Sequence, residues 1–401
     1  MRIALVGPTH PFKGGVAAHT TATAHELAAA GHQVELVGWQ RLYPRRLYPG
    51  ELSVPGGEAE LPPFPRTSRT LRWDRPWSWW RTGRRLRGVD LVVLVMVIPA
   101  QVPALLTVAR AARSGRRSAV RSGVAVRSGV GVGSGVGVGG RPVVVALAHN
   151  VVPHETHPGG RRLARLLLRA TDAVLVHAPD QARLAAEHGA RRVAVAELPP
   201  HLPGGTPTSP AAVRPPRSAA EPVRVLALGL VRDYKGVDLL LRAAREVPQV
   251  RVTVAGEAWG RAGERVRRLA ADPALAGRVR LCLEYLPAAE VPDLLLGHDL
   301  LALTYRSATA SQNVLLGHAY RLPVLASRVG TFADQVRDGV DGLLVPPDDV
   351  PALVAALRRV CADGELDRLR AGVPVVDLHG PWQRYVSTLV ALAGPPPGAA
   401  S

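Results

Sequence analysis

Short apolar runs that stop at glycine, proline or histidine, each followed by a stretch of helical spacing, recur along the chain. Residues 2–7 form the first run. A loop carrying Gly14 and Gly15 follows, then a helical pattern over 16–30 that stops at Gly31, and a second apolar run over 33–39. Strand, glycine loop, helix and strand in this order make a βαβ unit, which requires a parallel sheet and a right-handed crossover. Runs at 91–97, 143–148, 173–177 and 193–197 extend the pattern into one doubly wound domain over residues 1–200.

Residues 201–222 are rich in Pro, Gly, Ser and Ala and read as a linker. The pattern then restarts. A strand at 223–229, a turn at Tyr234-Lys235-Gly236 and a helix at 237–246 precede strands at 251–255, 279–283, 300–304 and 323–327. The second doubly wound domain therefore spans 223–380, with a helix at 381–394 after it. The repeats of Arg-Ser-Gly-Val and Gly-Val-Gly over 114–140 offer no bulky apolar periodicity and predict a disordered insertion, as does the tail at 395–401. The fold class is α/β, with two Rossmann-like domains.

Ligands of open α/β sheets bind beyond the carboxyl ends of the strands. The first such loop holds Lys13, Gly14 and Gly15 at a helix start, where free N–H groups attract an anion. Another offers His149 and Asn150, then His154 and Glu155. The linker-distal domain offers Gly229, Arg232 and Lys235, then Gly256 and Glu257. Its last loop offers Ser307, Thr309, Ser311, Gln312 and Asn313, small or polar residues that let backbone amides approach a phosphate. The spacing of a dinucleotide fingerprint is missing after Gly7, and no P-loop string or Asp-x-Asp occurs. A metal-held diphosphate loses support, so no metal and no cofactor is expected.

Composition sharpens this choice. The formal charge is +18, yet among 50 basic residues only Lys13 and Lys235 are lysine; asparagine occurs only at 150 and 313. Such rarity marks a strongly GC-biased coding sequence in which AT-rich codons persist where something retains them. All four survivors fall in the strand-end loops. Two cysteines exclude a disulfide framework. No nucleic-acid-binding motif accompanies the charge, so no nucleic-acid partner is expected. No run is long enough for a membrane span, which makes a cytoplasmic protein the expectation. Trp73, Trp77, Trp79 and Trp80 with Arg81, Arg84 and Arg85 read as a packed helix with a solvated basic edge; contact with an anionic membrane at its inner face is the other reading.

At these residues the chain resembles the family-4 retaining glycosyltransferases of GT-B fold. The likeness rests on Gly229-Leu-Val-Arg-Asp-Tyr-Lys-Gly-Val-Asp-Leu-Leu-Leu241, on Pro323 to Gly330 and on Asp338-Gly-Val-Asp-Gly-Leu-Leu-Val-Pro346. The runs Gly7-Pro-Thr-His-Pro-Phe-Lys-Gly-Gly15, Tyr43 to Gly50 and His149-Asn-Val-Val-Pro-His-Glu155 are similar to one bacterial branch. The resemblance implies two domains facing a central cleft, and transfer with retention from a nucleoside-diphosphate sugar to a sugar, lipid-linked or small-molecule acceptor. Lys235 then matches the lysine on the donor diphosphate, Gly15 the glycine against its phosphate, and His149 the histidine near the reacting sugar. Trp382 and Tyr385 match the final helix that braces the N-terminal domain. Two positions depart from the family. Leu230 stands where Arg is usual, with Arg232 nearby, and the paired glutamates fall on Thr309 and Gly317. The departures leave open a catalytically degenerate nucleotide-sugar-binding protein, and an epimerase of the same architecture.

Overall fold

The computed structural model describes residues 1–42, 44, 52–55, 59, 61–114, 141–151, 159–204, 221–308 and 311–394. Most of the expected insertion, most of the linker, the tail, most of the Tyr43–Gly50 run, His154, Glu155 and Thr309 lie outside the described residues.

The N-terminal half contains β1 (Arg2–Val6), α1 (Gly15–Ala29), β2 (Gln33–Arg41), β3 (Thr67–Arg72), α2 (Pro76–Arg85), β4 (Leu91–Met96), α3 (Val102–Arg113), β5 (Val143–Ala148), α4 (Gly160–Ala170), β6 (Ala173–Val176), α5 (Pro179–Glu187) and β7 (Val193–Val195). Its seven strands lie in the order β3-β2-β1-β4-β5-β6-β7, and every pairing is parallel. The C-terminal half contains β8 (Val223–Leu228), α6 (Val237–Arg245), β9 (Val250–Ala255), α7 (Gly260–Ala270), β10 (Val279–Cys282), α8 (Val291–Leu296), β11 (Leu300–Leu303), α9 (Asn313–Ala319), β12 (Val324–Ser327), α10 (Phe332–Gln335), β13 (Gly342–Val345), α11 (Val350–Val360), α12 (Glu365–Gly372) and α13 (Gly380–Ala391). Six strands lie in the order β10-β9-β8-β11-β12-β13, again all parallel. Both sheets thus reverse direction at their first strand, the switch point where doubly wound folds bind ligands.

A parallel sheet is covered by helices on both faces, so its strands are apolar on both. β4 is buried at all six positions and β5 at five of six. Two strands escaped the sequence pattern. β3 has the polar sequence Thr-Ser-Arg-Thr-Leu-Arg because it is the edge strand, and only Leu71 is buried. β13 is an edge strand of four residues.

α13 crosses back to the N-terminal sheet. Trp382, Tyr385, Val386 and Leu389 share one buried cluster with Ile3, Leu5, Leu147 and Leu175. The Trp382 indole N–H also donates to the Pro200 carbonyl at 2.8 Å. Burying each large side chain contributes about 1.5–3 kcal/mol, so the chain's last helix is part of the first domain's core.

The face of α2 is the reverse of the expectation. Ser78, Thr82 and Gly83 are its buried residues. A Cβ on Gly83 would stand 2.5 Å from the Val108 carbonyl oxygen, so α3 approaches the bare backbone. Small residues make that close packing and the tryptophans turn outward: Trp73 is 41% exposed, Trp77 54% and Trp80 47%. Trp79 alone stays tied to the domain, donating to the Arg72 carbonyl at 2.6 Å. Guanidinium groups of Arg75 and Arg81 lie over Trp77, and that of Arg84 lies 4.5 Å from the Trp80 ring centre.

Candidate functional site

A cleft of about 480 Å³ opens between the carboxyl ends of the two sheets. From the N-terminal half it is lined by Gly14, Gly15, His149 and Asn150, and from the C-terminal half by Gly229, Lys235, Gly256, Glu257, Ser311, Gln312 and Asn313. With Lys13, which lines it too, twelve sequence-nominated residues therefore converge there. Arg232 and Ser307 do not line it: Ser307 is exposed, and the Arg232 guanidinium packs 4.7 Å from the Trp259 ring centre.

The loop after β8 is shaped around Lys235. Gly229 has φ of 104°, and a Cβ there would stand 2.8 Å from Lys235 Nζ. Gly236 has φ of 59°, and its Cβ would meet the Thr304 carbonyl oxygen. Any other residue at either position would carry backbone strain and push the loop away from the cleft. Thr304 Oγ1 donates to the Gly236 carbonyl at 2.9 Å and fixes the turn. The acid two residues before it, Asp233, pairs with Arg265 at 3.0 Å instead of with Lys235. Among the described residues Lys235 forms no ion pair, and its ammonium lies 5.3 Å from the Tyr305 ring centre. Burial lowers its pKa first, and Arg232 lowers it further, against the opposing influence of Tyr234.

The loop after β1 holds the other lysine. Gly14 precedes α1 without a side-chain cap, and the first turn has no acidic residue. A Cβ on Gly14 or Gly15 would meet nothing within 4 Å, so the helix start faces open space. Lys13 itself is not free for an anion. Its Nζ contacts Glu257 Oε1 at 2.6 Å across the two halves, with the side chains 5% and 13% exposed. Glu257, nominated for the donor, is thereby engaged by the opposite domain. Gln312 has a similar bridging job: its amide donates to the Pro199 carbonyl at 2.6 Å and accepts from the His201 backbone at 3.4 Å. The Asn313 side chain donates to Tyr305 Oη at 3.2 Å, and its backbone N–H is capped by Ser311 Oγ at 3.3 Å. These contacts explain Gln312 and Asn313 as fixtures of the wall.

His149 stands in a group the sequence reading missed. His19 on α1, His177 after β6 and His201 also line the cleft. His177 Nε2 lies 3.1 Å from His149 Nδ1, and its Nδ1 lies 3.1 Å from the Ala196 carbonyl. His19 Nε2 meets Tyr385 Oη at 2.9 Å, and its ring stacks on Trp382 at 5.4 Å. Burial drives every one of these imidazoles toward the neutral form. His177 and His201 are held down to about 4, and His19 and His149 lie well below the ordinary value, with neighbouring imidazoles adding to the effect. The rule that nominated His149, a histidine ending a buried parallel strand, nominates His177 equally.

One ring nitrogen each of His19, His149 and His177 lies within 4.8 Å of the others. A tetrahedral centre with metal–nitrogen bonds of about 2.0–2.1 Å needs nitrogens about 3.3 Å apart. Both His177 nitrogens are moreover engaged in hydrogen bonds. The group is a hydrogen-bonded cluster of neutral rings.

Two doubly wound domains with a shared cleft at their switch points define the GT-B class. Residues 222–363, most of the C-terminal domain, match the family model described as glycosyl transferases group 1. A D-inositol 3-phosphate glycosyltransferase of Geodermatophilus obscurus is 34% identical over 242 residues, 55% of this chain and 52% of that protein. One from Mycobacterium sp. (strain KMS) is 30% identical over 220 residues, 53% of this chain and 47% of that protein. The chain thus spans about half the length of the curated relatives it matches. Among solved structures, sucrose-phosphate synthase from Thermosynechococcus elongatus superposes with a TM-score of 0.66 at 17% identity, covering 98% of this chain and 96% of that one. Anabaena HepE in complex with UDP-glucose gives 0.66 at 14% identity, covering 98% and 97%. At such identity the two structures establish the fold.

Proposed function

We propose that the protein is a glycosyltransferase that moves a sugar from a nucleoside-diphosphate sugar to an acceptor hydroxyl with retention of anomeric configuration. One observation carries the reading: Lys235 is a half-buried cation that forms no ion pair among the described residues, set in the wall of a cleft between two Rossmann-like domains. A charge partly withdrawn from water is costly unless paired, so the partner that suits this site is an anion. The start of α1 at Gly14 and Gly15 offers N–H groups that have no side-chain cap among the described residues to the same cleft. The UDP and UDP-glucose of the HepE complexes support a nucleotide-sugar as that anion.

In this reading the bond from the anomeric carbon to the diphosphate breaks first, and the charge gathering on the phosphate oxygen is met by Lys235 and α1 without a metal. The acceptor oxygen bonds to the anomeric carbon from the same face, and its proton leaves with the phosphate. Arg232 acts at longer range, through the field it adds at Lys235. His149 and Asn150 flank the sugar. Ser311 and the backbone near it serve where the family's glutamates are replaced, so catalysis is favoured over degeneracy. The acceptor is a sugar, lipid-linked or small-molecule hydroxyl compound. The outward tryptophans and arginines of α2 favour a peripheral contact with an anionic membrane surface.

Calorimetric titration with UDP, GDP and ADP tests the claim. One of them should bind the native protein, and Lys235→Met should weaken it about 10- to 100-fold, the worth of a charge-assisted hydrogen bond. Failure of all three to bind, or equal binding by a folded variant, would refute it.

A further inference from the structure

We infer that His177 is a positioning residue that fixes the tautomer of His149, so that His149 presents an unprotonated Nε2 to the ligand in the cleft. The chain of hydrogen bonds starts at a group with no choice. The Ala196 carbonyl only accepts, so His177 Nδ1 carries the proton of their 3.1 Å bond. A neutral His177 then has a lone pair at Nε2, and the 3.1 Å contact with His149 requires His149 Nδ1 to be the donor. His149 Nε2 is left with the lone pair. That atom is buried and has no hydrogen-bond partner among the described residues, although its residue lines the cleft. An unpartnered buried acceptor is rare in a folded protein, which points to a hydroxyl of the bound molecule as its donor.

The chemistry depends on this direction. If the cleft holds a sugar that loses its diphosphate, the ring carbon gains positive charge. A lone pair on a neutral imidazole is a good neighbour for that charge, and a hydroxyl held by it is fixed in orientation. The reverse tautomer would present an N–H to the same place. The consequence for turnover rests on the glycosyltransferase reading; the tautomer does not.

The two parts are tested separately. In protein labelled with 15N histidine, ring-nitrogen signals report which nitrogen carries the proton, and His149→Gln assigns them. Native protein should show His149 as the Nδ1–H form. His177→Phe should lose that preference, and His177→Gln, whose amide can both accept from His149 and donate to Ala196, should keep it. An Nε2–H form in native protein, or no change in the Phe variant, would overturn the assignment. With UDP-glucose as probe, His177→Phe should lower the kcat of UDP release about 10- to 100-fold, the cost of a misplaced group, with KM changed less than about threefold, and His177→Gln should restore most of it. A folded Phe variant with native kcat would overturn the positioning role. Absence of turnover by native protein with any nucleotide-glucose would count against the glycosyltransferase reading, and would leave the NMR result standing.

Discussion

Acidification should destabilise the N-terminal domain, by an amount the buried imidazoles set. Free histidine titrates near 6.5, whereas burial holds His177 and His201 to about 4. The unfolded chain therefore binds more protons than the folded one between those values, and stability falls as pH falls. It is fully present above about pH 7 and drops by about 1.4 kcal/mol per pH unit for each residue inside the window. From pH 7 to about pH 5 the two residues together cost about 3–4 kcal/mol, a large share of an ordinary stability of about 5–15 kcal/mol. His19 and His149 shift in the same direction and add to the loss. The groups facing the cluster are Tyr385 from α13, the Ala196 carbonyl and the imidazoles themselves. Urea titration followed by tryptophan fluorescence suits the measurement, because Trp39 is buried in this domain and Trp382 stacks on His19. The midpoint should fall between pH 7 and 5, and the His177→Gln, His201→Gln double variant should lose about 3–4 kcal/mol less over that range. An unchanged native midpoint, or an equal loss in the double variant, would refute the assignment of neutral rings.

Two further outcomes follow from the cleft and the surface. Lys13→Met or Glu257→Gln alone should destabilise the protein by about 3–5 kcal/mol, because each strands a buried charge, while the double variant should recover part of the loss; a thermodynamic cycle from urea unfolding checks this, and additive effects would exclude the interdomain ion pair. Vesicles containing anionic lipid should bind the protein at low salt, and Trp77→Ser with Trp80→Ser should reduce the bound fraction several-fold; failure of native protein to sediment with them would remove α2 as a membrane contact.

Buried parallel strands were legible in the sequence because both faces are apolar, so each stands out as an uninterrupted run. The same physics hid β3, whose edge position leaves Thr67, Ser68, Arg69 and Thr70 short of full burial. Helix α2 misled for a related reason. Tryptophan is a usual core residue, but here Gly83 lets α3 come so near that no indole fits between them. A single sequence contains the glycine and the tryptophans without saying which face the neighbour takes.

The cleft was legible by strand-end position and illegible by pairing. Lys13 and Lys235 both stood in strand-end loops that suit an anion, and Glu257, 244 residues from Lys13, claimed the first of them. Sheet order makes such partners neighbours, and sheet order is not written in local pattern. Lys235 still has a property that the arginine-rich surface lacks. Lys235 reaches its place above Gly229 where even one added methyl carbon would stand 2.8 Å from its nitrogen. A compact ammonium suits that space, whereas a planar guanidinium spreads its charge over a fork several ångströms wide. Retention of lysine in a chain that otherwise uses arginine is thus a matter of shape as much as charge: the loop can place a point charge in the cleft, and has room for little else.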